Sequence, residues 1–123
     1  MTSHNILIVD DDETITTIAQ TVLKKNNFQS QAVKNGKDAI TALKKTQFDA
    51  VILDIMMPKM DGKKTLKAIR ENSDTKDIPV FMLTGENMLT DLAEFMDMGA
   101  NDYMVKPFNP ETLVKRVEKL LKP

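Results

Sequence analysis

Short apolar runs with strand character alternate along this chain with segments of helical periodicity. The apolar runs cover residues 6–9, 28–33, 50–53, 79–83 and 102–105, and apolar residues at helical spacing follow each of them. Five repeats of strand and helix predict an α/β fold with a parallel sheet. The more polar run at 28–33 is typical of an edge strand, whereas 50–53 is predicted to be buried on both faces.

Local signals predict several helix ends. Asp12 is a candidate N-cap for the first helix, Asn35-Gly36 predicts a turn before the second, and Pro110 at N1 begins the last. Gly99 suits the C′ position of the fourth helix. In that helix, spacing predicts that the inward side chains are Leu89, Leu92, Ala93 and Met96. In the last helix they are Leu113, Val114, Val117, Leu120 and Leu121.

Composition excludes several classes of function. The chain has 123 residues, a formal net charge of -1 and no cysteine. A near-neutral charge does not favour binding to nucleic acid or to an anionic membrane, and the lack of cysteine excludes thiolate chemistry. No apolar run has the length of a signal peptide or a membrane span. We therefore expect one cytoplasmic domain over residues 1–123, with no direct nucleic-acid or membrane partner.

Polar side chains follow four of the five predicted strands. Asp10 and Asp11 come after the first strand, Asp54 after the third, Thr84 after the fourth and Lys106 after the fifth. In a doubly wound, flavodoxin-like sheet of order 2-1-3-4-5, these strand ends share one edge, and strands 1 and 3 flank the topological switch point. Three carboxylates there form a hard-oxygen site, for which Mg²⁺ is the expected cation.

Such a group of side chains suits phosphoryl transfer. A carboxylate can attack phosphorus and form an acyl phosphate, and Asp54 is the best candidate because the acidic pair after strand 1 is better placed to hold the metal. The metal and Lys106 would neutralise charge on the phosphoryl oxygens, and the Thr84 hydroxyl could bind one of them.

The stretches ILIVDDDE, VILDIMMPKMDG, VFMLTGE and DYMVKPF resemble, in order and over nearly the whole chain, the motifs of the response-regulator receiver domain. The resemblance implies that Asp10 and Asp11 serve a magnesium site, to which Met56 adds its backbone carbonyl. It also implies that Asp54 accepts a phosphoryl group from a phosphohistidine on a sensor histidine kinase or a histidine phosphotransfer protein. The output partner is not indicated.

Further roles follow from the same resemblance. Thr84 and Lys106 would bind phosphoryl oxygens, and Tyr103 would be the aromatic switch residue. Phosphorylation would then change the surface formed by helix 4, strand 5 and helix 5. Lys106-Pro107 matches a position where a cis peptide is usual in the family, although the sequence alone allows either isomer.

Structural alternatives exist for the same residues. Asp12 and Glu13 fit helix capping and the helix dipole better than metal binding. Tyr103 could be an ordinary core residue, and Met96 is expected to pack in the core.

Two other classes of protein share parts of this pattern. A haloacid dehalogenase-type phosphatase also uses a strand-end aspartate, magnesium, a hydroxyl and a lysine, but Glu13-Thr14 continues its motif poorly and the length leaves no room for a cap domain. A flavin carrier would share the topology, but its phosphate-binding loop should be rich in Ser, Thr or Gly rather than acidic.

Overall fold

A computed structural model describes residues 4–55, 62–85 and 92–122. Strands and helices alternate through these residues. Their bounds are β1 (Asn5–Val9), α1 (Glu13–Lys25), β2 (Gln29–Val33), α2 (Gly36–Lys45), β3 (Ala50–Asp54), α3 (Gly62–Glu71), β4 (Val80–Thr84), α4 (Leu92–Asp97), β5 (Asp102–Val105) and α5 (Pro110–Leu121).

The strands form one parallel sheet of order β2-β1-β3-β4-β5. The predicted doubly wound, flavodoxin-like α/β fold is therefore confirmed. The chain moves from β1 outward to β2 and then crosses to β3 on the other side of β1, so the topological switch point lies between β1 and β3.

Each face of the sheet carries its own apolar layer. Alternate residues of β1, β3 and β4 point to opposite faces, so these strands are buried on both sides. One layer packs under α2, α3 and α4 and includes Leu7, Val51, Leu53, Leu66, Ile69, Met82 and Phe95. The other packs under α1 and α5 and includes Ile8, Leu23, Ile52, Phe81, Leu113 and Val117.

The structure corrects the predicted inward face of α4. Phe95 is the buried residue of this helix, whereas Met96 is 38% exposed and Ala93 is exposed as well. The aromatic ring buries more apolar area than a methionine, and its packing into the layer under α4 turns Met96 toward solvent. Leu92 is partly buried, and Leu89 lies outside the described residues.

The predicted helix ends agree with the structure. Asp12 caps α1 by accepting from the Thr14 and Ile15 N–H groups, and Pro110 is the first residue of α5. Gly99 follows α4 with φ +105°, and its N–H donates to the Met96 carbonyl. Within the described residues, no helix is both long enough and apolar enough to cross a membrane.

Candidate functional site

The carboxyl edge of the sheet gathers the polar residues that follow the strands. Asp54 is the last residue of β3 and Thr84 the last of β4, whereas Asp10 and Lys106 directly follow β1 and β5. Because the strands are parallel and paired in register, these side chains end up on neighbouring strand ends around the switch point. The structure thus brings together the side chains that the sequence places on one edge.

Three carboxylates form the centre of this edge. Asp10, Asp11 and Asp54 each offer an oxygen, and these oxygens lie within 4.8 Å of one another. Asp10 and Asp54 are buried, at 1% and 3% exposure, whereas Asp11 is exposed. The Asp12 N–H donates to Asp10 Oδ1 at 2.9 Å, which orients the Asp10 carboxylate. The cluster therefore has two fixed, buried members and one that water can reach.

Lys106 provides positive charge at the same place. Its Nζ lies 2.8 Å from Asp10 Oδ2 and 3.3 Å from Asp54 Oδ2. Burial by itself would lower the pKa of Lys106, but the hydrogen bonds and charges of Asp10 and Asp54 outweigh it, so the pKa is raised. The side chain is thus held as an ammonium ion between two buried carboxylates. The peptide bond between Lys106 and Pro107 is cis.

The structure describes two of the three remaining predicted site residues, Thr84 and Tyr103. Thr84 is fully buried, and its Oγ1 donates to the Gly85 carbonyl at 3.1 Å. Tyr103 is half-buried against the apolar layer under α4. Met56 lies outside the described residues. The structure shows positions for Thr84 and Tyr103, and their functional roles stay predictions.

Two arginine contacts at the amino end of β5, away from the carboxyl edge of the sheet, were missed from the sequence. Arg116 of α5 donates from Nη1 to Asp102 Oδ1 at 2.9 Å and to the Tyr103 carbonyl at 3.1 Å. Arg70 of α3 donates from Nε and Nη2 to the Gly99 carbonyl in the turn between α4 and β5. Since most of these acceptors are backbone carbonyls, which every residue carries, no residue pattern could have indicated them.

Comparison with known proteins gives one consistent result. The family model for the response regulator receiver domain matches residues 6–118. The transcriptional regulatory protein SrrA of Staphylococcus aureus is 36% identical over 120 residues, which are 98% of this chain and 48% of that protein. The chain therefore spans about half the length of this relative.

Solved structures agree with the family match. The chemotaxis response regulator CheY4 of Vibrio cholerae has a TM-score of 0.92 and 35% identity, with 98% of this chain and 100% of that one covered. A receiver domain of a signal transduction histidine kinase from Syntrophus aciditrophicus has a TM-score of 0.89 and 32% identity, with 97% and 90% covered.

These comparisons do not support the phosphatase alternative, because the matched family is a regulatory one. The match extends over the strand ends that carry Asp10, Asp54, Thr84 and Lys106. The described sheet order is also that of the matched structures. The chain belongs to the response-regulator receiver domain family.

Proposed function

We propose that this receiver domain takes a phosphoryl group on Asp54 and thereby switches an output surface. The observation that carries the proposal is the position of the Asp54 carboxylate, which is buried at a strand end, 3.3 Å from the Lys106 ammonium and next to two further carboxylates. A buried aspartate between a cation and a group of acidic oxygens has the surroundings that a phosphoryl acceptor needs.

Magnesium fits the donor set. Carboxylate oxygens are the ligands that Mg²⁺ prefers, and the exposed Asp11 leaves one side of the cluster open to water ligands and to phosphate. We propose Asp10, Asp11, Asp54 and the Met56 backbone carbonyl as its ligands. When bound, magnesium would reduce the repulsion between the carboxylates and the incoming phosphoryl oxygens.

The reaction itself would use Asp54 as the nucleophile. A carboxylate oxygen of Asp54 forms a bond to phosphorus while the P–N bond of the phosphohistidine breaks, and the electron pair of that bond stays on the imidazole nitrogen. Lys106 is already within hydrogen-bond reach of Asp10, and it would follow the new charge on the phosphoryl oxygens. We propose a sensor histidine kinase or a histidine phosphotransfer protein as the donor.

Labelling with a small phosphoryl donor tests the acceptor. Acetyl phosphate with Mg²⁺ should add one base-labile, hydroxylamine-labile phosphoryl group to the wild type and none to Asp54→Asn. Asp74→Asn, which alters an exposed carboxylate in the loop before β4, is the matched control and should label like the wild type. Labelling that persists in Asp54→Asn, or that maps to a serine, would overturn the proposal.

The switch would start at Thr84. Its hydroxyl now donates to Gly85, and a phosphoryl group on the neighbouring strand would be a stronger, charged acceptor for the same proton. Thr84 is paired with Val105, two residues after Tyr103 on β5, so movement of the threonine would free space into which the tyrosine ring can turn. We propose that this couples Asp54 to the surface of α4, β5 and α5.

Amide chemical shifts test the relay. Beryllofluoride, which mimics the phosphoryl group on Asp54, should shift α4 and Tyr103 amides strongly in the wild type and in Thr84→Ser, but weakly in Thr84→Ala. Equal shifts in all three proteins would contradict the role of the Thr84 hydroxyl, while leaving Asp54 as the acceptor.

A further inference from the structure

Arg70, near the end of α3, uses every N–H of its guanidinium. Nε and Nη2 donate to the Gly99 carbonyl at 3.1 and 2.7 Å, and Nη2 also donates to Asn101 Oδ1 at 3.0 Å. Nη1 donates to the carbonyls of Ile78 at 2.7 Å and of Lys76 at 3.1 Å. All four acceptor groups are uncharged dipoles, and the nearby Asp77 carboxylate adds a charge–charge attraction to the guanidinium.

These acceptors belong to separate parts of the fold. Lys76 and Ile78 lie in the loop that leads into β4, whereas Gly99 and Asn101 form the turn between α4 and β5. Asn101 extends the network, because its Oδ1 also accepts from the Val80 N–H at 2.8 Å. One guanidinium thus ties the end of α3 to the start of β4, the end of α4 and the start of β5.

Gly99 is shaped for this contact. Its φ of +105° is a conformation that other residues rarely adopt, and a Cβ there would lie 2.9 Å from Arg70 Nε. A side chain at this position would require the guanidinium to shift from its place against the Gly99 carbonyl. The cation also lies at the C-terminal end of α4, where the helix dipole favours positive charge.

α3 and α4 also meet nearer the start of the described α4. The Phe95 ring packs in the same apolar layer as Leu66 and Ile69, and Lys63 Nζ lies 6.0 Å from the centroid of that ring. Lys63 Nζ lies 2.8 Å from Glu94 Oε2 in the first turn of the described α4, but these side chains are 42% and 56% exposed. An exposed ion pair of this type contributes little and is easily exchanged for water. Within the described residues, the part-buried hydrogen bonds from Arg70 to the Gly99 carbonyl are therefore less open to exchange with water than this ion pair.

We propose that Arg70 is the pivot of the α4 switch: it keeps the α4–β5 turn fixed to α3 in both states, so that the start of α4 and the Tyr103 side chain move around it. This inference rests on the proposed function, since it concerns how the response to a phosphoryl group on Asp54 spreads. Arg70 touches no reacting atom and is a positioning residue.

The side-chain Nε–H resonance of Arg70 gives a direct test in the wild-type protein. The chain has two arginines, Arg70 and Arg116, so a single Arg116→Lys spectrum assigns both signals. On addition of beryllofluoride and Mg²⁺, the Arg70 Nε–H and the Gly99 and Asn101 amides should stay within a linewidth of their positions. The amides at the start of α4 should shift.

The variant Arg70→Lys tests the consequence. Lysine keeps the charge but cannot donate five hydrogen bonds in a fixed plane. Shifts caused by beryllofluoride should then spread to Gly99 and Asn101, while those at Lys106 and the affinity for beryllofluoride stay as in the wild type. Arg116→Lys is the control: in this variant, addition of beryllofluoride should leave the Gly99 and Asn101 amide resonances at their positions, as in the wild type.

The outcomes separate the two proposals. If the wild type shows shifts at Thr84 and Lys106 but the Arg70 Nε–H moves as far as the α4 amides, the pivot is wrong and the acceptor site stands. If beryllofluoride shifts no amide resonance near Asp54, the proposed function is wrong, and the pivot proposal, which rests on it, is wrong as well. The wild-type measurement decides between these even if Arg70→Lys does not fold.

Discussion

The ammonium of Lys106 offsets the charge of two buried carboxylates, and its removal should destabilise the protein. Lys106→Met leaves Asp10 and Asp54, whose side chains are 0% and 4% exposed, without this cation. At an effective dielectric constant of about 20, the attractions at 2.8 and 3.3 Å amount to ~6 and ~5 kcal/mol before desolvation is subtracted.

The net loss of stability in Lys106→Met must be smaller than the sum of these two attractions. Desolvation of the ammonium opposes the attraction, and removing one partner of a buried pair typically costs about 3–5 kcal/mol. Because 23% of the Lys106 side chain is exposed, the lower end applies. We expect Lys106→Met to lower the free energy of unfolding by about 3 kcal/mol at pH 7 without magnesium. Urea unfolding followed by circular dichroism suits a chain without tryptophan.

Magnesium should recover part of this loss. A ligand present at 100 times its dissociation constant stabilises the folded state by about 2.7 kcal/mol. If Mg²⁺ binds at Asp10 and Asp54 as proposed, it competes in the wild type with Lys106 for their oxygens, so the variant should gain more stability from Mg²⁺ than the wild type does. Lys115→Met, at an exposed position on α5, is the control and should change stability by less than about 0.5 kcal/mol.

The free energy of unfolding measured at alkaline pH gives a second test of the role of Lys106. The pKa of Lys106 is raised in the folded state above its ordinary value of 10.5, so its contribution is complete below that pH and is lost as pH rises through the folded pKa. The stability difference between wild type and Lys106→Met should therefore hold from pH 7 to about 10 and shrink above it. A cost equal to that of Lys115→Met, or an equal gain from magnesium in both proteins, would refute this reasoning.

Changes at three further positions have expected outcomes. Asp11→Asn should weaken Mg²⁺ binding by about tenfold or more, measured by calorimetry, and undiminished binding would remove Asp11 from the site. Asp12→Ala should lower the free energy of unfolding in urea by about 1 kcal/mol, because the α1 cap is lost. Asp12→Asn keeps a capping side chain and should be as stable as the wild type. A change in the Mg²⁺ affinity of Asp12→Asn would contradict a purely capping role. Gly99→Ala should cost about 2 kcal/mol, because it combines positive φ with a clash at Arg70, and a loss below about 0.5 kcal/mol would contradict that account.

Patterns along the chain are sufficient to predict the fold class and the composition of the candidate site. Strand-type runs and helical spacing predict the five βα units, and parallel strands necessarily bring their carboxyl ends to one edge. The sequence therefore groups four polar residues at one edge, since each comes at the end of a strand: Asp10, Asp54, Thr84 and Lys106. The strand order is the only further information needed to predict that these side chains lie close together.

Features that depend on packing between distant segments could not be predicted in this way. Local spacing allowed more than one apolar stripe on α4, and the fit of the Phe95 ring under that helix turned Met96 to solvent. The contacts of Arg70 with Gly99 could not be predicted either, because a backbone carbonyl carries no sequence signal and the two residues are 29 positions apart. A pattern along the chain specifies which side chains share an edge, whereas the position of a helix over the sheet follows from the shapes that meet there.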